Sequence, residues 1–340
     1  MSERSGTERG LYAGDEGGAQ AGAVLPVLVV GGPTASGKSG LALMLAERLG
    51  GTVINADSIQ VYQVLRVVTA RPGPEEVRVP HRLYGIVPPS ERMSAARWRD
   101  LAIEEIRRSH AEGRLPIVVG GTGLYLRTLM QGIVEIPDIP DDIRREALEL
   151  QQEIGTPALH ARLAALDPET AARLNPTDTT RVVRAFEVVR ATGQGITEWQ
   201  RTGRHDVPAD LAFHPLVVEP PRERLYAQCD SRFLAMLDQG ALEEVRALEA
   251  MNLDPMLPAM KALGVPELRA HLHGDWDLPT ATAKAQQFTR NYAKRQSTWF
   301  RNQLAAAPRT DPAELTDRIA AMKFCNRIAA RIGMKISKPG

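Results

Sequence analysis

The stretch Gly32-Pro33-Thr34-Ala35-Ser36-Gly37-Lys38-Ser39 constrains this chain more than any other. It fits G-x-x-x-x-G-K-[ST], a loop whose backbone N–H groups converge on phosphate oxygens. The apolar run 27–30 leads into it, and a helix-like pattern over 40–49 follows. In that order the helix N-terminus points its dipole at the bound anion. Lys38 supplies a point charge, and the Ser39 hydroxyl is placed to ligate Mg2+. The chain therefore binds a polyphosphate, and the rest of the sequence must say what it does with it.

Short apolar runs at 27–30, 52–55, 83–87, 116–119 and 215–218 alternate with helical patterns at 40–49, 95–112 and 123–131. The fold class this predicts is α/β, a P-loop-containing parallel sheet flanked by helices. Ligands in such sheets bind at the carboxyl ends of the strands. Between the fourth and fifth runs only helical patterns occur, at 142–153, 157–166, 168–174 and 179–191. Asp167-Pro168 and Asn175-Pro176 read as helix starts. The expected organisation is a disordered leader at 1–23 and a catalytic core of 24–136 plus 206–307. An all-helical insertion domain at 137–205 and a helical basic tail at 308–340 complete it.

Composition narrows the setting. The 340 residues carry a net charge of +1, so a basic surface must be local. Two cysteines, Cys229 and Cys325, are too few for a disulfide framework and suit a reducing compartment. No apolar run approaches the length of a membrane span. Acids at Glu3, Glu8, Asp15 and Glu16 argue against a transit peptide. A cytoplasmic protein is expected.

Asp57 follows the second apolar run and in a P-loop fold faces the phosphates. A carboxylate there holds Mg2+ or takes a proton from a nucleophile, or else it caps the next turn. The first and fourth runs end without an acid. A hydrolase needs a second strand-end acid to position water, so group transfer is the better reading. Gly120-Gly121-Thr122-Gly123 opens a helix after the fourth run; its glycines allow close approach to a ligand, and Thr122 either caps the helix or donates to substrate. From 280 to 301 there are five cations, Lys284, Arg290, Lys294, Arg295 and Arg301, and no acid. That is a footprint for phosphates on one helix, with Phe288, Tyr292 and Trp299 as its buried stripe. Arg181, Arg184 and Arg190 form a weaker basic row in the insertion, and the histidines show no metal-ligand spacing.

Taken together, the segments resemble the tRNA dimethylallyltransferase family, in its bacterial form. They are 32–39; Asp57-Ser58-Ile59-Gln60-Val61-Tyr62; Thr69-Ala70-Arg71-Pro72; Pro80-His81-Arg82-Leu83; Gly120 to Tyr125; Asn175-Pro176 with Arg181-Val182-Val183-Arg184-Ala185; and Tyr292-Ala293-Lys294-Arg295-Gln296 with Thr298-Trp299-Phe300-Arg301. The resemblance implies transfer of a dimethylallyl group from dimethylallyl diphosphate to N6 of the adenosine 3′-adjacent to the anticodon, in tRNAs reading codons that begin with U. It implies that the P-loop holds the diphosphate, with Mg2+ on Ser39 and Asp57, and that Arg232 and Arg222 add charge to the leaving group. Asp57 would accept the amine's proton. Thr122 and Arg144 would sit where base and allyl group meet. The resemblance implies RNA contacts from Asp57, Ser58, Ile59 and Gln60, from Thr180, Arg181, Val182, Val183 and Arg184, and from the segment 261–266 beginning at Lys261. Lys294 and Arg295 join them from the basic helix. A monomer without membrane contact is expected.

Some positions depart from the family pattern. Val68 stands where a glycine is usual, and Arg71 where a lysine is. Gly264-Val265-Pro266-Glu267 lacks the frequent tyrosine and basic residue. Two other readings share the cradle. A small-molecule P-loop kinase leaves the basic helix and the insertion unexplained, and an adenylate prenyltransferase does not need an RNA-gripping insertion.

Overall fold

The structure is a computed structural model that describes residues 24–334 apart from 75, 76, 135, 204, 205 and 316. The expected leader and the last residues of the tail lie outside the described residues. The strands are β1 (Leu25–Gly31), β2 (Gly51–Asn55), β3 (His81–Arg82), β4 (Leu115–Gly120), β5 (Leu211–Val218) and β6 (Arg309–Thr310). The helices, in chain order, are α1 (Lys38–Leu49), α2 (Ala95–Ala111), α3 (Gly123–Gln131), α4 (Asp141–Ile154), α5 (Thr156–Leu166), α6 (Pro168–Ala171) and α7 (Thr179–Thr192). They continue with α8 (Ile196–Thr202), α9 (Arg222–Asp238), α10 (Ala241–Glu249), α11 (Val265–Leu272), α12 (Leu278–Gln303) and α13 (Arg318–Arg331).

All six strands pair in parallel, in the order β3-β2-β4-β1-β5-β6. Their side chains alternate between two buried faces. Val27, Val29, Ile54, Val118 and Val217 face a cluster that includes Trp98 of α2, Leu126 of α3, Phe233 of α9 and Phe300 of α12. Leu28, Val30, Val53, Ile117 and Leu216 face the other, with Leu41 and Leu45 of α1 and Phe324 and Ile328 of α13. A sheet covered on both faces reads as continuous apolar runs rather than alternation, and that is how the strands announced themselves.

The fold differs from the sequence reading at the margins. The third strand is only His81–Arg82, because Leu83 takes φ 64° and breaks the extension. Val87 returns as a single bridge to Tyr62. The segment after Pro308, read as helical throughout, first adds the edge strand β6 and then α13. Asn175-Pro176 starts a turn rather than a helix. The Asn175 side chain accepts the Thr177 N–H at 3.0 Å, and Asp178 caps α7.

The chain divides into two compact units, one of residues 1–130 and 208–340, the other Gln131–Val207. The second unit is helical among its described residues. It buries Ala147, Leu159, Leu163, Val182 and Phe186.

Candidate active site

The P-loop joins β1 to α1 at the carboxyl edge of the sheet. Gly37 and Ala35 take φ 85° and 60°; the left-handed alanine is a strained position of the kind that clusters at ligand sites. Ser36 Oγ is buried without a hydrogen-bond partner among the described residues. Lys38 Nζ donates to the Pro33 carbonyl at 3.3 Å. Burial pushes the Lys38 ammonium down to about 8; Asp57 opposes that shift and Arg232 adds to it. Arg232 reaches in from α9 and donates to Thr34 Oγ1. Burial lowers its pKa too. Two desolvated cations and a buried hydroxyl without a protein partner are donors suited to an anion. Ser39 lies exposed in the first turn of α1.

Asp57 stands just past β2. Asn55 fixes it: its side chain accepts the Asp57 N–H at 2.9 Å and donates to the Asp57 and Leu83 carbonyls at 3.1 Å each. The Trp98 indole N–H holds the Asn55 carbonyl at 2.9 Å. Asp57 Oδ1 accepts the N–H of Ile59 at 3.0 Å and of Gln60 at 3.4 Å. No protein donor reaches Oδ2 among the described residues. One oxygen thus caps the turn and the other is left for chemistry. The carboxylate acts electrostatically on Lys38 and Arg232, and on the phenols of Tyr84, Tyr125 and Tyr292. Its charge is therefore felt at the cradle. Burial holds all three phenols well above the ordinary tyrosine value, and Asp57 raises them further.

Thr122 does not act as a simple helix cap. Its Oγ1 accepts the Ser58 N–H at 2.9 Å and lies 3.2 Å from Ser58 Oγ. It ties the loop after β4 to the turn that holds Asp57. The glycines beside it serve packing rather than ligand approach. A Cβ at Gly121 would run into the Gln296 amide, and one at Gly123 into the Trp299 indole.

Three of the expected contact residues are turned inward. The Gln60 amide donates to the Thr69 and Ala70 carbonyls at 2.8 and 3.1 Å. Val182 and Val183 are buried in the helical unit, whereas Thr180 and Arg181 are exposed and Arg184 is half-buried. Arg181 and Arg184 pair with Asp178 and Glu187. Arg144, in the same unit, donates to the Ile139 carbonyl at 3.2 Å. Arg222 is exposed and stacks over the Tyr226 ring. Lys261 is exposed at the end of a 3-10 turn.

The basic run on α12 is less free than the sequence implied. Asp230 pairs with Arg290, Glu219 with Arg301 at 3.0 Å, and Lys284 sits over the Trp276 ring. The missing acids come from other elements. Lys294 and Arg295 are exposed with no acidic partner among the described residues. Phe288, read as part of a buried stripe, is 45% exposed. The departures from the family pattern have local roles. Arg71 donates to the Tyr62 and Gln63 carbonyls at 2.6 and 2.9 Å, a planar fork that lysine cannot reproduce. Val68 is buried, and its N–H donates to Glu244 at 2.8 Å.

A residue that the sequence left unassigned joins these parts. Gln296, buried on α12, accepts the Thr34 N–H and donates to the Gly121 carbonyl, both at 2.8 Å. In the sequence it stood as part of the Tyr292-Ala293-Lys294-Arg295-Gln296 segment that carries the family resemblance, with no role of its own.

A P-loop and the Asp57 carboxylate at the carboxyl edge of a parallel sheet are the parts of a P-loop enzyme. The comparisons with known proteins make this specific. The IPP transferase family matches residues 60–303. The chain is 67% identical over 304 residues to the tRNA dimethylallyltransferase of Rhodospirillum centenum, covering 89% of this chain and 97% of that one. It is 52% identical over 300 residues to the enzyme of that name from Paramagnetospirillum magneticum, covering 88% and 95%. Among solved structures it resembles a tRNA isopentenylpyrophosphate transferase from Bacillus halodurans, with TM-score 0.65, 34% identity and coverage of 91% and 97%. It also resembles a eukaryotic dimethylallyltransferase acting on tRNA, with TM-score 0.75, 26% identity and coverage of 92% and 81%. The chain belongs to the tRNA dimethylallyltransferase family.

Proposed function

We propose that this protein moves the dimethylallyl group of dimethylallyl diphosphate onto N6 of the adenosine 3′-adjacent to the anticodon, in tRNAs reading codons that begin with U. The observation that carries this reading is the Asp57 carboxylate just past β2, its Oδ1 held by the Ile59 and Gln60 N–H groups and its charge acting on the Lys38 and Arg232 cations. As the allylic C–O bond breaks and the C–N bond forms, negative charge gathers on the departing pyrophosphate. Lys38, Arg232 and the P-loop amides meet that charge with donors already in place. The amine becomes acidic as it bonds to carbon, and Asp57 Oδ2 accepts its proton. The target base leaves the loop stack to reach Asp57, which a single-stranded loop permits at modest cost.

A divalent cation fits this donor set. Ser39 and Asp57 offer hard oxygen ligands, and among the described residues no cluster of three acidic, His or Cys side chains builds a protein-only cage. Mg2+ takes one or two protein ligands and fills its shell from substrate phosphates and water. When bound, it would offset charge on the leaving diphosphate. Lys261, Lys294, Arg295 and, in the helical unit, Thr180 and Arg181 supply exposed RNA contacts, with the half-buried Arg184 beside them. No helix among the described residues is long and apolar enough to cross a membrane.

Two measurements bear on separate parts of this reading. Replacing Lys294 and Arg295 with alanine should lower the slope of log K against log salt for anticodon stem-loop binding by about 1–2. A slope unchanged beside a lowered melting temperature would make these residues structural. The second concerns pH. Lys38 is cationic below about 8 and loses its proton above that value. The second ionisation of a phosphate, near pH 6, lies below this window. Affinity for dimethylallyl diphosphate should thus be full near pH 7 and fall as pH rises through about 8, and Lys38→Met should abolish that fall. The function itself is tested by offering labelled dimethylallyl diphosphate or labelled ATP with the stem-loop. Label should enter RNA from the first. ATP should compete for the cradle without comparable turnover, and stoichiometric ADP release would promote the kinase reading.

A further inference from the structure

Helix α12 turns one polar side chain into the protein. Lys294 and Arg295 are exposed, while the next residue, Gln296, is buried. A buried amide is costly unless every group is paired, and Gln296 is fully engaged. Its Oε1 accepts the Thr34 N–H and its Nε2 donates to the Gly121 carbonyl, both at 2.8 Å. Thr34 N–H can only donate and the Gly121 carbonyl can only accept, so the amide is held one way round.

The two partners belong to different halves of the chemistry. Thr34 is in the phosphate cradle, and Arg232 already holds its hydroxyl. Gly121 precedes Thr122, which holds Ser58 beside Asp57. β1 and β4 pair up to Gly31 and Gly120, and past that point the sheet ladder no longer ties the two loops together. Gln296 spans the gap that follows.

We infer that Gln296 is a positioning residue that sets the separation between the diphosphate cradle and the Thr122–Ser58–Asp57 side of the site. The inference rests on the prenyl-transfer reading and deepens it. Gln296 supplies no group to the reaction. It holds the allylic carbon within reach of the amine, where a misplacement of about 1 Å costs about 10²-fold. Without it the cradle still binds diphosphate, but the registry with the acceptor is lost and water competes. The allylic C–O bond then still breaks. Carbon bonds to the water oxygen, the water gives up a proton, and dimethylallyl alcohol and pyrophosphate are the products.

Gln296→Met keeps the side-chain length and removes both hydrogen bonds; Gln296→Asn keeps an amide too short to reach both loops. For Gln296→Met, single-turnover transfer to an anticodon stem-loop should fall about 100-fold per folded molecule. Dimethylallyl diphosphate affinity should stay within about threefold. The fraction of released pyrophosphate not matched by RNA prenylation should rise about tenfold or more, with Gln296→Asn intermediate. A loss that tracks the folded fraction with coupling unchanged in both variants would overturn the role, as would weakened diphosphate binding with coupling intact. If the wild-type protein prenylates no RNA, the functional reading itself falls, and this inference with it.

Discussion

Asp57→Asn should slow prenyl transfer by about 10²–10⁴-fold while the protein stays folded and binds dimethylallyl diphosphate within a few-fold of normal. Asparagine is the informative replacement because Asp57 does two things. Its Oδ1 accepts the N–H groups of Ile59 and Gln60, and an asparagine oxygen keeps those bonds. What asparagine loses is the capacity to take a proton. Alanine would remove both at once and leave two amides unpaired, so its effect would mix a disturbed turn with a missing base. Single-turnover kinetics beside a melting curve separates the two. Near-normal turnover in Asp57→Asn would remove the carboxylate from proton transfer and leave it a turn cap.

Arg232→Ala should lower kcat by about 10²–10³-fold, the usual cost of removing one preorganised donor from developing negative charge. The guanidinium donates to Thr34 Oγ1 and lies in the field of Asp57. Its loss takes charge from the leaving group and one of the two anchors from Thr34. Arg232→Lys should recover only part of the rate, because a point charge lacks the planar fork. Steady-state kinetics at saturating RNA checks this. A change in KM alone, with kcat preserved, would mean that Arg232 binds the ground state and transition state equally.

The sheet and the cradle were legible because they are local. One eight-residue loop, flanked by an apolar run and a helical pattern, fixed the phosphate site, and runs of four or five apolar residues fixed the buried strands. Asp57 was legible from its place after the second of those runs. What escaped was set by contacts far apart in the chain. The Thr34–Gln296 bond joins residues 262 positions apart. The acids that neutralise Arg290 and Arg301 lie on α9 and just past β5, so a helix without acids looked freer than it is. The third strand was misplaced because Leu83 and Val87 are apolar for the sake of the core, while the backbone between them turns. β6 carries no apolar run at all. Arg309 and Thr310 extend the sheet edge by backbone pairing, which composition does not signal.

The central claim is that the cradle and Asp57 together move a carbon group, not a phosphoryl group, onto an exocyclic amine. Its most direct test is product analysis after incubation with dimethylallyl diphosphate, Mg2+ and two anticodon stem-loops that differ only at the base after the anticodon. With adenosine there, digestion should yield one nucleoside bearing a single five-carbon unit, matched mole for mole by pyrophosphate. With guanosine there, which lacks the N6 amine, no unit should be added. Prenylation of the guanosine RNA at the same rate, or adenosine RNA recovered unmodified, would contradict the account.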